Sequence, residues 1–178
     1  MKRVLSVVAE SFPIAGTFTI SRGSKTKADV LTCTIAQNGR QGRGECVPYG
    51  RYGETMESVL ASIEAIAGDI AAGMERHELL DAMKAGAARN AVDCALWDLE
   101  ARLAGKRVSN RICPAAAHEL ETAFTLSLGE PEAMAAQARA NASRPLLKVK
   151  IGGPGDIARL RAVVEAAPRS RIIAAARF

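Results

Sequence analysis

Residues 122–178, TAFTLSLGEPEAMAAQARANASRPLLKVKIGGPGDIARLRAVVEAAPRSRIIAAARF, alternate between two periodicities. TAFTLSL, LLKVKI and RIIAAA are short apolar runs that read as strands. Pro131 to Ala142 and Asp156 to Ala166 carry helix-forming residues at helical spacing. The order is therefore βαβαβ, with a strand roughly every 24 residues. Such strands pair in parallel through right-handed crossovers, as in a barrel or a doubly wound sheet. A complete (β/α)8 barrel needs about 250 residues, and the sequence supplies three strands of one.

Upstream the pattern is different. Residues 3–46 read as strands: VLSVVAE, TFTIS, ADVLTCTIA and, after an Asn38-Gly39 turn, GRGECV. Beyond Gly53 the period becomes helical. Met56, Val59, Leu60, Ile63, Ile66 and Ile70 form one stripe that ends near Gly73. A short helix is expected over Glu75 to Met83 and a longer one from Ala87 to Leu103, stopped by Gly105. On the longer helix Ala88, Val92, Leu96, Leu99 and Leu103 share a face, and Leu96, Trp97 and Leu99 are expected to pack it against the rest of this first region and against the beginning of the βαβαβ part. The first ~110 residues thus predict an antiparallel sheet followed by helices.

Composition narrows the function classes. Of 178 residues 34 are Ala and only seven are aromatic, so the core is built from small side chains. No run approaches the ~18 apolar residues of a membrane span, and no membrane partner is expected. The net charge of +5 comes from scattered basic residues with few aromatics among them, so nucleic acid is not expected as a partner. Cys33, Cys46, Cys94 and Cys113 show no C-x-x-C spacing, which argues against zinc. The start MKRVLSVVAESFP lacks a true apolar signal core, and a cytoplasmic location with reduced thiols is the expectation.

Lys148-Val149-Lys150 is the sharpest chemical feature. With a side-chain period of two, both lysines leave one face of a strand whose other members are apolar. Burial and mutual repulsion both penalise the ammonium form, so one amine becomes available as a base near neutral pH. Two solvated lysines at a strand end would present the same tripeptide, and the sequence leaves that alternative open. The following Gly153-Pro154-Gly155-Asp156-Ile157-Ala158 fits G-x-G-x-x-A, but Ala174, Ala175 and Ala176 stand where a ribose-binding acid would be needed. It reads as a connecting turn. Two polar loops, Ser21 to Lys27 and Glu45 to Glu54, could each fold over a ligand; the first offers cations and hydroxyls to a carboxylate.

Taken in order, ISRGSKTKADV, GRGECVPYGRYGET, GAARNAVDCALWDLEARLAG, TAFTLSL and LLKVKIGG closely resemble the dipeptide epimerases of the L-Ala-D/L-Glu type, in the mandelate racemase/muconate lactonizing enzyme group of the enolase superfamily. The resemblance covers nearly the whole chain. It implies an α+β capping domain over residues 1–115, followed from residue 119 by the first βαβαβ part of an incomplete (β/α)7β TIM-like barrel. It implies a dipeptide substrate and Mg²⁺-dependent 1,1-proton transfer at the α-carbon of its C-terminal residue. By the same resemblance Lys150 exchanges the α-proton, while Lys148 binds substrate and tunes that base. Thr125 is a substrate-binding position. Lys25 stands where relatives carry an arginine for the substrate's acidic side chain, with Arg22 as the second candidate; lysine keeps the charge but loses the bidentate fork.

The end of the sequence departs from the family. Relatives carry Asp-Ala-Asn after the third strand, its Asp being the first Mg²⁺ ligand; here that position is Ala175, within Ala174-Ala175-Ala176-Arg177-Phe178. The remaining metal ligands and the opposing lysine would lie beyond Phe178. The expectation is a truncated family member that binds no Mg²⁺ specifically and is inactive by itself. The alternatives are a non-catalytic cap-like binding or assembly module, and a nonfunctional gene remnant. The open barrel edge is expected to favour self-association.

Overall fold

The computed structural model describes residues 2–20, 23–113, 115, 118–151 and 153–176. Its elements in chain order are β1 (Val4–Ile20), β2 (Gly23–Gln37), β3 (Arg40–Cys46), α1 (Met56–Ala65), α2 (Ala67–Ala72), α3 (Arg76–Ala82), α4 (Ala87–Ala104), α5 (Ser109–Ile112), β4 (Phe124–Leu126), α6 (Pro131–Ala140), β5 (Leu146–Ile151), α7 (Asp156–Ala166) and β6 (Arg171–Ala176). The chain divides into two compact units, residues 1–12 with 28–117 and residues 13–27 with 118–178.

The first three strands form one sheet in the order β1-β2-β3, of which residues 13–27 are counted with the second unit. β2 and β3 are antiparallel, with Gln37 opposite Arg40 and Leu31 opposite Cys46. Asn38 and Gly39 both adopt positive φ, 52° and 71°, the two-residue turn whose twist matches that of the strands it joins. Leu31, Cys33 and Ile35 point from the sheet into a core completed by Val59, Ile63, Ile70, Leu79, Val92, Leu96 and Leu99. Gly42 and Gly44 occupy alternate positions of β3, and α4 lies directly on them. A Cβ on Gly44 would stand 2.0 Å from Ala91 O, and one on Gly42 would stand 2.1 Å from Ala95 O. The small residues of strand and helix let the two backbones touch.

Three local expectations are corrected here. VLSVVAE and TFTIS are not separate strands but parts of the 17-residue β1. The stripe from Met56 to Ile70 is two helices, because Ile66 has φ −84° and ψ −3° and turns its amide to Glu64 O; Ile63, Ile66 and Ile70 stay buried, so the break leaves the apolar face intact. On α4, Leu96 and Leu99 are buried, but Leu103 is exposed. Trp97 lies outside the core cluster, with the Arg76 guanidinium 3.4 Å above its ring and Arg111 at 5.7 Å. The indole thus meets α3 and α5 through two guanidinium groups.

In the second unit β4, β5 and β6 form a parallel three-stranded sheet in that order. Leu126, Leu147 and Val149 are fully buried beneath Met134 and Ala138 of α6 and Val163 of α7. This is an antiparallel sheet with helices followed by the parallel start of a barrel. No helix among the described residues is long and apolar enough to cross a membrane.

Candidate active site

Because Leu147 and Val149 turn to the helices, Lys148 and Lys150 emerge together on the other face of β5, both partly buried. Parallel register sets Thr125 beside Lys148 from one side. From the other, Ile173 pairs with Lys148 and Ala175 with Lys150. Leu126 is buried under the helices, so Thr125 shares the lysines' face. The structure therefore brings Thr125, Lys148 and Lys150 onto one surface.

The Lys150 amine is held below its ordinary value of 10.5. Burial is the largest cause, followed by the charge of Lys148 and a hydrogen bond with it. Each favours the neutral amine, which is the form that can take a proton.

Lys25 is exposed near the start of β2, within the segment 13–27 that folds with the parallel sheet. Residues 23–27 are thus strand rather than the loop expected from the sequence. Arg22 lies outside the described residues. Two further residues escaped the motif reading. Ser127 donates its hydroxyl to Thr17 O at 3.1 Å, and Gln137 accepts from Ser127 N at 3.0 Å. Period two from Thr125 points to Ser127; nothing local points to Gln137.

The second polar loop serves the fold. Glu54 accepts from the backbone amides of Tyr49 at 3.0 Å and Ala87 at 2.7 Å, anchoring the loop and the start of α4. It also lines a groove of about 740 Å³ with Tyr52, Ser58, Ser62 and Met83. The glycine-rich segment is a βα turn, in which Gly155 has φ 84° and Asp156 accepts from Gly153 N at 2.8 Å.

Residues 2–112 match the family model of the mandelate racemase/muconate lactonizing enzyme N-terminal domain. The chain belongs to that family. Its relatives there include dipeptide epimerases: it is 38% identical over 173 residues to the L-Ala-D/L-Glu epimerase of Escherichia coli K12, across 96% of this chain and 54% of that protein. It superposes with a TM-score of 0.93 on an enolase family member from Agrobacterium tumefaciens with homology to dipeptide epimerases, crystallised with sodium and L-Ala-L-Glu. That match is 57% identical and covers 97% of this chain and 53% of the other. The dipeptide epimerase of Enterococcus faecalis V583, complexed with Mg and L-Leu-L-Tyr, is 29% identical with a TM-score of 0.87, over 98% of this chain and 53% of its own. The chain spans about half the length of these relatives.

The residues on the lysine face do not fit the Mg²⁺ with which the Enterococcus faecalis enzyme is complexed. Mg²⁺ requires oxygen ligands in near-octahedral array. β6 offers Ile173 and Ala175 beside the two lysines, with no side-chain oxygen. Among the described residues no group of three or more His, Cys, Asp or Glu stands together.

Proposed function

We propose that this chain carries one half of a site for 1,1-proton transfer at the α-carbon of the C-terminal residue of an L-Ala-Glu-like dipeptide. In this reading residues 1–115 are the capping domain and residues 119–178 the beginning of the barrel. Lys150 is the proton-exchanging base, Lys148 tunes it and helps bind substrate, Thr125 binds substrate, and Lys25 meets the acidic side chain.

The observation that carries the proposal is the depressed Lys150 amine beside Lys148 on a shared strand face. In the step assigned to it, the neutral amine takes the α-proton. The C–H bond breaks, an N–H bond forms, and the electron pair passes into the adjacent carboxylate. Return of that proton restores the starting centre. The two amines of β5 lie on one side of the substrate in this arrangement, so exchange proceeds with retention. Inversion requires a donor on the opposite side. With Ala175 beside Lys150 the developing charge gains no carboxylate-held cation from β6. The 178-residue chain by itself therefore exchanges slowly and does not epimerise.

Deuterium incorporation at the Glu α-carbon of L-Ala-L-Glu in D₂O tests this reading, with product stereochemistry followed in parallel. Exchange with retention, insensitive to Mg²⁺ and abolished in Lys150→Met, is the expected result. Magnesium-dependent epimerisation by the purified chain, or exchange that survives Lys150→Met, would overturn it. The reading extends to assembly: β4 and β6 are the outer strands of their sheet, and an exposed strand edge templates pairing with another chain. Sedimentation velocity should show association that grows with concentration, and a monomer at every concentration would remove that part.

A further inference from the structure

β4 ends at Leu126, and the next two residues hold the end of β1. Ser127 donates its hydroxyl to Thr17 O at 3.1 Å, and Leu128 donates its amide to Thr19 O at 3.0 Å. Within segment 13–27 the hydroxyls of Thr19 and Ser24 meet at 2.9 Å, one residue before Lys25. Ser127 is itself held by Gln137 of α6. The Gln137 amide accepts from Ser127 N at 3.0 Å and donates to Ser127 O at 3.4 Å. Both backbone polar groups of Ser127 are thus occupied from the helix side, and its hydroxyl is what remains to reach Thr17 of β1. Ser127 lies two residues beyond Thr125, just past the end of β4, so this tie stands next to the strand that pairs with Lys148.

We propose that Ser127 and Gln137 are positioning residues: the Gln137 amide fixes Ser127, whose hydroxyl ties the end of β1 to the end of β4 and, through the Thr19–Ser24 contact, positions the start of β2 that carries Lys25. This rests on the reading of Lys25 as the group that meets the substrate's acidic side chain. What the positioning governs is discrimination between a dipeptide with a carboxylate side chain and its uncharged amide counterpart, set by where β2 holds the ammonium. An ammonium on a long flexible stem selects poorly unless its backbone is anchored.

The test uses the full chain and two readouts. The first is amide hydrogen exchange by NMR in wild type, Ser127→Ala, Ser127→Thr and Gln137→Leu. Loss of one hydrogen bond corresponds to about a 2- to 13-fold factor, so Leu128 N–H exchange should accelerate by that amount in S127A and Q137L. It should return towards wild type in S127T, which keeps the hydroxyl, while the buried Leu96 amide remains unchanged. An unchanged Leu128 amide in both S127A and Q137L, or equal acceleration at Leu96, would overturn the clamp.

The second readout is calorimetric affinity for L-Ala-L-Glu relative to L-Ala-L-Gln. Wild type should prefer the former by roughly 1.5- to 5-fold, the range for an exposed ion pair. Lys25→Met should erase that ratio, S127A should narrow it, and S127T should restore it. If Lys25→Met erases the ratio and S127A leaves it intact, the positioning proposal fails while the reading of Lys25 stands. If Lys25→Met leaves the ratio unchanged, the reading of Lys25 fails, whatever the exchange data show of the clamp.

Discussion

Replacing Gly44 by Ala puts a methyl group where the backbone of α4 already stands. The added carbon would lie 2.0 Å from Ala91 O, 2.7 Å from Ala95 N and 2.9 Å from Cys94 Cβ. Two of these three neighbours are backbone atoms inside an 18-residue helix, so no side chain can rotate away; α4 must move by about an ångström to reach normal separation. That helix presents Val92, Leu96 and Leu99 to the core, all fully buried, and its displacement loosens each. Overpacking costs about 1–3 kcal/mol and occasionally more, and contact with backbone on two sides places Gly44→Ala at the upper end. The single Trp97 rides on α4 and reports on this unit alone. With a urea slope of about 2 kcal/mol/M, a cost of about 2–3 kcal/mol should lower the Trp97 fluorescence midpoint by roughly 1–1.5 M. Gly68→Ala is the opposite case. Gly68 lies in α2, and a Cβ there meets nothing within 4 Å, so the lower chain entropy of Ala should stabilise by about 0.5–1 kcal/mol. A Gly44→Ala midpoint equal to wild type, or the same sign for both variants, would refute the close-packing argument.

Leu96→Ala, in the same core, should cost about 2–5 kcal/mol, and an unmoved midpoint in the same assay would contradict the burial of its side chain. Lys148→Met should raise the Lys150 pKa only part of the way to 10.5, because burial is the larger cause; a lysine side-chain NMR titration that shows full recovery would reverse that ranking. Folding lowers the proton affinity of Lys150, so the unfolded chain binds more protons between the depressed value and 10.5. Stability contributed by this group therefore rises with pH through that window, and Lys150→Met should flatten the rise in urea midpoints measured across it. Burial first, and then neighbouring charge, pushes the Cys33 thiol to about 12 and the Cys46 thiol to about 11, whereas Cys94 and Cys113 are exposed. A thiol reagent at pH 8 should modify Cys94 and Cys113 in the native chain and all four cysteines after unfolding; rapid native modification of Cys33 would contradict its burial.

Local periodicity was enough to read much of this protein. The three short apolar runs after residue 122 are parallel strands because buried strands and helices alternate there, and Lys148 and Lys150 share a face because a strand repeats every two residues. Asn38-Gly39 marks its hairpin because both residues tolerate positive φ. The family resemblance was legible for the same reason, since its motifs are continuous stretches of chain, and the run Ala174-Ala175-Ala176 with no side-chain oxygen is plain in the sequence.

Tertiary structure decided what depends on residues far apart in the chain. Segment 13–27 belongs with the parallel sheet, as the Ser127–Thr17 and Leu128–Thr19 hydrogen bonds across more than 100 residues illustrate, and no local pattern encodes that choice. Gly42 and Gly44 read as ordinary strand glycines until α4 lies on them, and their φ values call for no glycine; the need comes from a helix half a domain away. Trp97 sits on the core helix yet packs beneath Arg76, because the third dimension supplied a cation on that side. The depression of Lys150 depends in the same way on burial by its surroundings, its largest cause, whereas the proximity of Lys148 was already written in the tripeptide. Sequence order sets which faces are apolar and which groups are neighbours on one strand; only packing sets which distant surface each face meets.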